Sequence, residues 1–410
     1  MLDIRRIRAE PDTVKAALAR RGPGEPEKVD RVLELDGRWR ELTAAAENLR
    51  AEQNRASKAL RGAPTPEQRA ELARLSARSK ELAEQEATVR AQRESALYAL
   101  ENLPAADAAD EDTVVKVVGS AGARGRDHLE LAGGRIDMER GARLSGSRFA
   151  LRRGELVLLE LALVRYAFTK LAGEGFEPVL PPVLVREEAL YGTGMLPDTE
   201  QQLYKVPEDE LYLVGTSEVA LASMHRDEIL DPGALPLRYA GFSSCFRREA
   251  GAAGRDTRGI FRVHQFDKVE MFAFVEPDRS AEEHERILAI EESICTDLEL
   301  PYRVVNIAVN DLGASAAKKY DIEVWLPGQG EYRELTSCSN TTDFQARRLE
   351  ARYRGEDGRP AYLHTLNGTA VTSSRTVVAL LENGQQEDGS VVIPEALVAS
   401  GAPALLAPAV

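Results

Sequence analysis

Two charged runs in the second half of the chain hold the residue types that could do chemistry. Cys245-Phe-Arg-Arg-Glu-Ala-Gly251 is followed by a polar, glycine-rich loop through Gly259, then by Phe261-Arg-Val-His-Gln-Phe-Asp-Lys-Val-Glu-Met271. The pattern reads as strand, long hairpin loop, strand. A charged side chain on a buried strand must be partnered or used, because burying it alone is costly. Arg247 and Glu249 are an even number apart, as are Arg262, Phe266 and Glu270, so alternation predicts a shared face for each set. Guanidinium forks grip phosphate oxygens, and an aromatic ring stacks on a base. Together these residues suit a nucleotide, although any one Arg–Glu pair taken alone reads as an ordinary structural ion pair.

The elements that must position them fall into two textures. From about 27 to 104, steps of four and three pick out Leu35, Trp39, Leu42, Ala46, Leu49, Gln53, Ala56 and Leu60. After Gly62-Ala-Pro-Thr-Pro66 a second series runs Leu72, Leu75, Ser79, Leu82, Glu86, Val89, Arg93, Ala96, Leu100 and Leu103. This is the 3.5-residue repeat of a coiled-coil seam. Gly and two Pro at 62–66 cannot continue a helix, so an antiparallel hairpin with its tip there is predicted. Residues 105–135 read as a linker followed by short strands, and 136–410 as a mixed globular domain. Helical periodicity marks Glu155–Ala172, and strand-like runs cover 210–214, 269–275 and 302–309. No regular helices separate these strands, so the expected class is α+β with a largely antiparallel sheet flanked by helices.

Bulk properties bound the function. With 410 residues the chain has room for two or three domains. Its net charge of −14 argues against indiscriminate nucleic-acid binding, yet the arm tip is locally basic. Arg50, Arg55, Lys58, Arg61, Arg69, Arg74, Arg78 and Lys80 face only Glu52, Glu67 and Glu71 between 50 and 80, a patch that could meet a polyanion or could simply be a solvated face. Cys245, Cys295 and Cys338 lack metal-ligand spacing and fit free thiols in a reducing compartment. No secretory signal or membrane span is expected, and the anticipated location is cytoplasmic. The Ala/Pro-rich end, 400–410, is expected to be poorly ordered.

The string Gly254-Arg-Asp-Thr-Arg-Gly-Ile-Phe-Arg-Val-His-Gln-Phe266, with the preceding Phe-Arg-Arg-Glu, resembles motif 2 of class II aminoacyl-tRNA synthetases, in the seryl branch. Gly175-Phe-Glu-Pro-Val-Leu-Pro-Pro182 looks like motif 1, which forms the dimer interface in this class. Gly215-Thr-Ser-Glu218 is similar to the serine-binding loop, and Glu334-Leu-Thr-Ser337 to the metal- and ATP-binding strand. Leu366-Asn-Gly-Thr369 through Arg375 and Asn383 looks like motif 3, and the family's tRNA-binding arm matches the hairpin.

The resemblance implies roles. Arg247 and Arg375 would be catalytic, at the α- and γ-phosphates of ATP. Arg248, Glu249, Arg262, Val263, Phe266, Glu334, Leu335, Thr336 and Ser337 would complete the ATP site, with Glu334 and Ser337 holding Mg²⁺. Thr216, Ser217, Glu218, Arg247, Glu270, Asn367 and Thr369 would bind L-serine. The basic tip would bind tRNA(Ser), with tRNA(Sec) a second candidate, and motif 1 implies a homodimer. His264 is expected to be structural, since the chemistry needs no imidazole. Motif 3 departs from the family by carrying Ala370-Val-Thr-Ser-Ser374 where glycines are usual, and Ala252 and Ala253 replace the usual serine. These departures motivate two other readings, a specialised paralogue serving inhibitor resistance or a biosynthetic pathway, and a catalytically weakened scaffold. If the arm serves only tRNA, deleting residues 35–100 should abolish tRNA charging and leave ATP–pyrophosphate exchange intact. Loss of both would assign the arm a role in folding.

Overall fold

The computed structural model describes residues 1–59, 64–197, 201–250, 256 and 258–409. The chain divides into two compact units, Met1–Leu103 and Pro104–Val410.

The first unit starts with short helices α1 (Ile4–Ala9) and α2 (Pro11–Ala19), followed by the long helices α3 (Glu25–Lys58) and α4 (Pro66–Tyr98). Alanine, glutamate and arginine favour helix along both limbs, and the 34 residues of α3 span about 50 Å. Thr65 ends the turn with a capping box, accepting from the Gln68 amide while the Gln68 side chain accepts from its own. Leu60 to Ala63, including Arg61 and part of the expected tip, lie outside the described residues. The seam positions from Leu35 to Ala56 and from Leu72 to Leu100 are all buried or half-buried.

The polar members of the seam are partnered. Trp39 Nε1 donates to Glu86 at 3.1 Å, and the Arg93 guanidinium lies 4.7 Å from the Trp39 ring centre. Arg93 also meets Asp36 Oδ1 at 2.7 Å, while Arg8 of α1 forks onto both oxygens of the same carboxylate at 2.6 and 2.7 Å. Asp36 is 2% exposed, so this clamp of two arginines joins α1, α3 and α4 through one buried charge.

The second unit is built on an eight-stranded sheet. Its strands are β1 (Thr113–Val118), β2 (Glu177–Val179), β3 (Leu237–Phe246), β4 (Gln265–Val275), β5 (Tyr302–Asn306), β6 (Lys318–Leu326), β7 (Glu331–Thr342) and β8 (His364–Thr372). The spatial order is β1-β5-β6-β7-β8-β4-β3-β2. Every pair is antiparallel except β2 with β3 at one edge. Helices α6 (Glu155–Gly173), α7 (Ser280–Asp297) and α8 (Ser373–Asn383) flank the sheet, and the short α5 (His128–Ala132) packs on α8. Leu156, Leu159, Leu163 and Leu171 of α6 are fully buried in the main core, each contributing roughly 2 kcal/mol.

Two expectations change. The segment 105–135 is no separate linker: it belongs to the second unit, where β1 pairs along β5 and extends the sheet. Within the end of the chain, Leu405–Leu406 pairs with Val391–Val392 and Leu406 is buried, so this part is ordered. Backbone pairing and one buried leucine outweigh an Ala/Pro-rich composition.

Burial works to raise the Asp36 pKa, but hydrogen bonds from Arg8 and Arg93 outweigh it and hold the carboxyl below its usual range. Its contribution is therefore present at neutral pH and lost as pH falls below about 4. Asp36→Asn should cost the arm unit about 3 kcal/mol at pH 7, with a smaller difference from the parent in acid, read by thermal unfolding at both pH values. An unchanged melting temperature at pH 7 would remove the clamp from the account of the arm.

Candidate active site

A cavity of about 320 Å³ opens on one face of the central strands. β4 supplies Phe266, Lys268 and Glu270, and β8 supplies Asn367, Thr369 and Thr372. Glu334, Leu335, Thr336 and Ser337 come from β7, Lys319 from β6, and Ser374 and Arg375 from the start of α8. Thr216, Glu218, Arg247, Glu249, Phe261, Arg262 and Val263 close it from the connecting segments.

Two β-bulges determine what faces this cavity. Residues three apart on a regular strand point to opposite sides, yet Glu334 and Ser337 both line it, as do Thr369 and Thr372. Between β6 and β7 the register runs Ile322↔Thr336 and then Glu323↔Glu334, leaving Leu335 as the extra residue. Between β4 and β8 it runs Val269↔Val371 and then Glu270↔Thr369, leaving Ala370 as the extra residue. Each inserted residue resets the alternation.

One end of the cavity is built around two carboxylates. The buried Glu218 accepts from Gln345 Nε2 at 2.7 Å and Asn367 Nδ2 at 3.0 Å through one oxygen. Burial, together with the charge of Glu270, pushes it up to about 7. Glu270 is paired with Lys268, and Thr369 Oγ1 lies 3.4 Å from it. Thr216 Oγ1 accepts from the Glu218 amide at 3.2 Å. Acidic groups with short hydroxyl and amide neighbours suit a small zwitterion bearing an ammonium and a hydroxyl.

The other end is cationic. Arg375 meets Glu334 Oε1 at 3.0 Å and lies 5.1 Å from the Phe261 ring centre. Burial raises the Glu334 pKa, but Arg375 and Lys319 outweigh it and hold this carboxyl well below the usual range. Arg262 pairs with Glu249. Arg247 joins the two ends: its Nε donates to the Gly215 carbonyl at 3.2 Å, and its guanidinium carbon is 5.4 Å from the Phe266 ring centre. A planar ring beside guanidinium groups offers a base platform next to phosphate donors. Glu334 and Ser337 present a carboxylate and a hydroxyl, hard oxygen donors of the kind Mg²⁺ accepts alongside water and phosphate. Among the described residues no cluster of three or more His, Cys, Asp or Glu could hold a metal unaided, so a cation here would depend on substrate oxygens.

The expected residues largely converge. Of the nucleotide and serine sets, all but Arg248 and Ser217 line the cavity. Ser217 is buried and its Oγ donates to the Gly241 carbonyl at 3.2 Å, so it serves the backbone. The Arg248 amide donates to Gln202 O at 2.9 Å, away from the lining. The predicted alternation fails for Arg247, Glu249 and Arg262, because β3 stops at Phe246 and β4 starts at Gln265. Glu249 instead turns through a left-handed φ of 53° and reaches Arg262 across the loop ends. His264 Nδ1 donates to the Arg247 carbonyl at 2.9 Å, a positioning bond outside the cavity. Ala252 and Ala253 lie outside the described residues. The run Ala370–Ser374 contains no left-handed φ, so its backbone does not require glycine.

Phe261, Lys268, Lys319, Thr372, Ser374 and Met195 also line the cavity and were not anticipated. Lys268 was within reach, since it sits two residues from both Phe266 and Glu270. Thr372 was not, because a regular strand would point it away from Thr369. On the arm, the described members of the basic set, Arg50, Arg55, Lys58, Arg69, Arg74, Arg78 and Lys80, are all exposed.

Two family profiles match the chain, "Seryl-tRNA synthetase N-terminal domain" over residues 1–104 and "tRNA synthetase class II core domain (G, H, P, S and T)" over 203–384. A serine–tRNA ligase of Thermobifida fusca is 50% identical over 409 residues, covering 97% of this chain and 96% of its own length. One from Nocardia farcinica is 50% identical over 410 residues, 97% of each chain. Among solved structures, a seryl-tRNA synthetase from Pyrococcus horikoshii complexed with ATP superposes with a TM-score of 0.93 at 41% identity, covering 100% of both chains. A cytoplasmic serine–tRNA ligase from Naegleria fowleri in complex with AMP gives 0.84 at 32% identity, covering 96% of this chain and 95% of its own. With both units matched and the full length spanned at half identity, the chain belongs to the seryl-tRNA synthetase family.

Proposed function

We propose that this enzyme activates L-serine with ATP and transfers it to the 3′ end of tRNA(Ser). The observation that carries the reading is Arg247, which bridges the carboxylate end and the aromatic, cationic end of one cavity. Serine enters with its ammonium toward Glu270 and Glu218 and its carboxylate toward Arg247. A carboxylate oxygen attacks the α-phosphorus, the bond to the β-phosphate oxygen breaks, and pyrophosphate leaves. The serine carboxylate is already ionised at neutral pH, so this step needs no general base. The rate comes from position and from guanidinium charge set where negative charge grows. A terminal ribose hydroxyl of the tRNA then attacks the carbonyl carbon, its proton passes to a phosphate oxygen of the adenylate, and AMP leaves with the bridging oxygen.

Phe266 stacks the base, Glu249 and Arg262 flank it, and Arg375 turns from Glu334 to the γ-phosphate. Mg²⁺, held by Glu334 and Ser337, would neutralise phosphate charge when bound. A pocket that hydrogen-bonds the serine hydroxyl rejects alanine, whose absent hydroxyl leaves buried polar groups unpaired. The exposed basic face of the arm supports tRNA binding through its phosphates, with tRNA(Sec) a second acceptor. Homodimerisation is supported by exposed Leu180 in the segment that resembles motif 1 and by exposed Leu158 and Leu161 on α6, the helix that precedes it. No helix among the described residues is long and apolar enough to cross a membrane, and the location we assign is cytoplasmic.

Two measurements test this. Serine should drive ATP–pyrophosphate exchange while alanine and threonine do not, and Arg247→Ala should lower kcat/KM about a hundredfold or more. Silence with serine from a folded protein would return attention to the scaffold reading. The second concerns the pocket's charge. Because the Glu218 pKa is raised on folding, the cost of its charged form is absent near pH 4.5 and fully present above pH 7. Glu218→Gln, which keeps the acceptor oxygen, should therefore stabilise the protein by about 2 kcal/mol at pH 8 and by much less at pH 5, as read by calorimetry. Equal shifts at both pH values would show that Glu218 is not held neutral by its surroundings.

A further inference from the structure

His128 lies in the segment first read as linker, and the chemistry above does not use it. It is 5% exposed, at the first position of α5. Its Nε2 lies 3.3 Å from the backbone nitrogen of Ile260. An amide can only donate, so Nε2 is the acceptor and the ring proton sits on Nδ1, 3.1 Å from Glu382 Oε1. Glu382 is 1% exposed. The same oxygen accepts from the His128 amide at 3.2 Å, and the other oxygen accepts from the Gly328 amide at 2.9 Å.

The elements tied by this pair are those that wall the nucleotide end. Glu382 lies seven residues beyond Arg375 on α8, two turns along the same helix. Gly328 lies in the turn joining β6, which carries Lys319, to β7, which carries Glu334. Ile260 immediately precedes Phe261, Arg262 and Val263, all of which line the cavity. The loop seats directly on the imidazole: a Cβ at Gly259, whose φ is +79°, would fall 2.0 Å from Nε2. Arg258 adds an ion pair to Asp127, the residue capping α5, at 2.9 Å. Phe261 in turn faces Arg375 and Arg333, with 5.1 and 4.4 Å from their guanidinium carbons to the ring centre.

We infer that His128, held by Glu382, is a positioning residue for ATP: it fixes the returning strand of the long loop against α8 so that Phe261, Arg262 and Arg375 share one geometry. The inference rests on assigning this end of the cavity to ATP. The bland alternative is that the ring merely fills space.

Two near-isosteric variants separate these. In Gln the side-chain oxygen reaches the place of Nε2 and still accepts from Ile260. In Asn the amide reaches only the place of Nδ1, keeping the link to Glu382 and losing Ile260. His128→Asn should speed hydrogen exchange of the peptide spanning 258–263 about tenfold and weaken ATP binding, measured by calorimetry on the full chain, by a similar factor. The KM for serine should move less than about twofold, and His128→Gln should recover most of both losses. The inference is overturned if Asn and Gln behave alike, if the peptide's protection is unchanged, or if serine and ATP constants rise together. Absence of serine-dependent exchange in the unaltered protein would sink the parent reading instead, while amide protection and ATP binding still decide the role of His128.

Discussion

The site depends on two extra residues in the central sheet. A strand offers every second side chain to one face, so a cavity floor built from regular strands would receive one polar group about every 7 Å. Leu335 and Ala370, each unmatched across its ladder, break that rhythm and place Glu334 with Ser337, and Thr369 with Thr372, on the same face. A small substrate needs donors and acceptors closer together than alternation allows. The bulges meet that need without a loop, so the groups remain on the stiffest part of the fold.

Concentrating polar groups there raises the question of how so much charge is kept under a sheet. In the described structure Arg375 is held by Glu334, Arg262 by Glu249, Lys268 by Glu270 and Lys319 by Asp321. In each pair the ion has a counterpart that offsets part of the cost of removing it from water. The pairs also keep the guanidinium and ammonium groups at the cavity lining, close to where phosphate charge is proposed to develop. The arm uses the same device away from any reaction, where Asp36 draws in two arginines and Glu86 takes the indole of Trp39.

Much of this was legible in the sequence, and the illegible parts have physical causes. The seam of the hairpin could be read because a 3.5-residue repeat persists for many turns, and the charged strands because charge amid apolar runs demands explanation. The two bulged residues are ordinary apolar side chains, so composition carries no trace of them and Thr372 could not be assigned. Arg247, Glu249 and Arg262 were assigned to the site on residue type, but strand alternation supplied the wrong reason, since all three lie beyond the strand ends. His128 and Asp36 were invisible because their significance comes from partners far along the chain: Glu382 and Ile260 for one, Arg8 and Arg93 for the other. The terminal strand pairs through its backbone, which an Ala/Pro-rich composition does not announce.

The position of the Asp36 clamp has a mechanical consequence. From Asp36 to the end of α3 at Lys58 the helix runs on for about 33 Å, beyond the point where three helices are pinned together. The pin acts as a fulcrum, and the limb beyond it as a lever. A tilt of ~5° there would carry the far end sideways by ~3 Å over that length, about the difference between a hydrogen bond made and one missed. Accuracy at the far end is thus set at the root, by a carboxylate that touches no ligand.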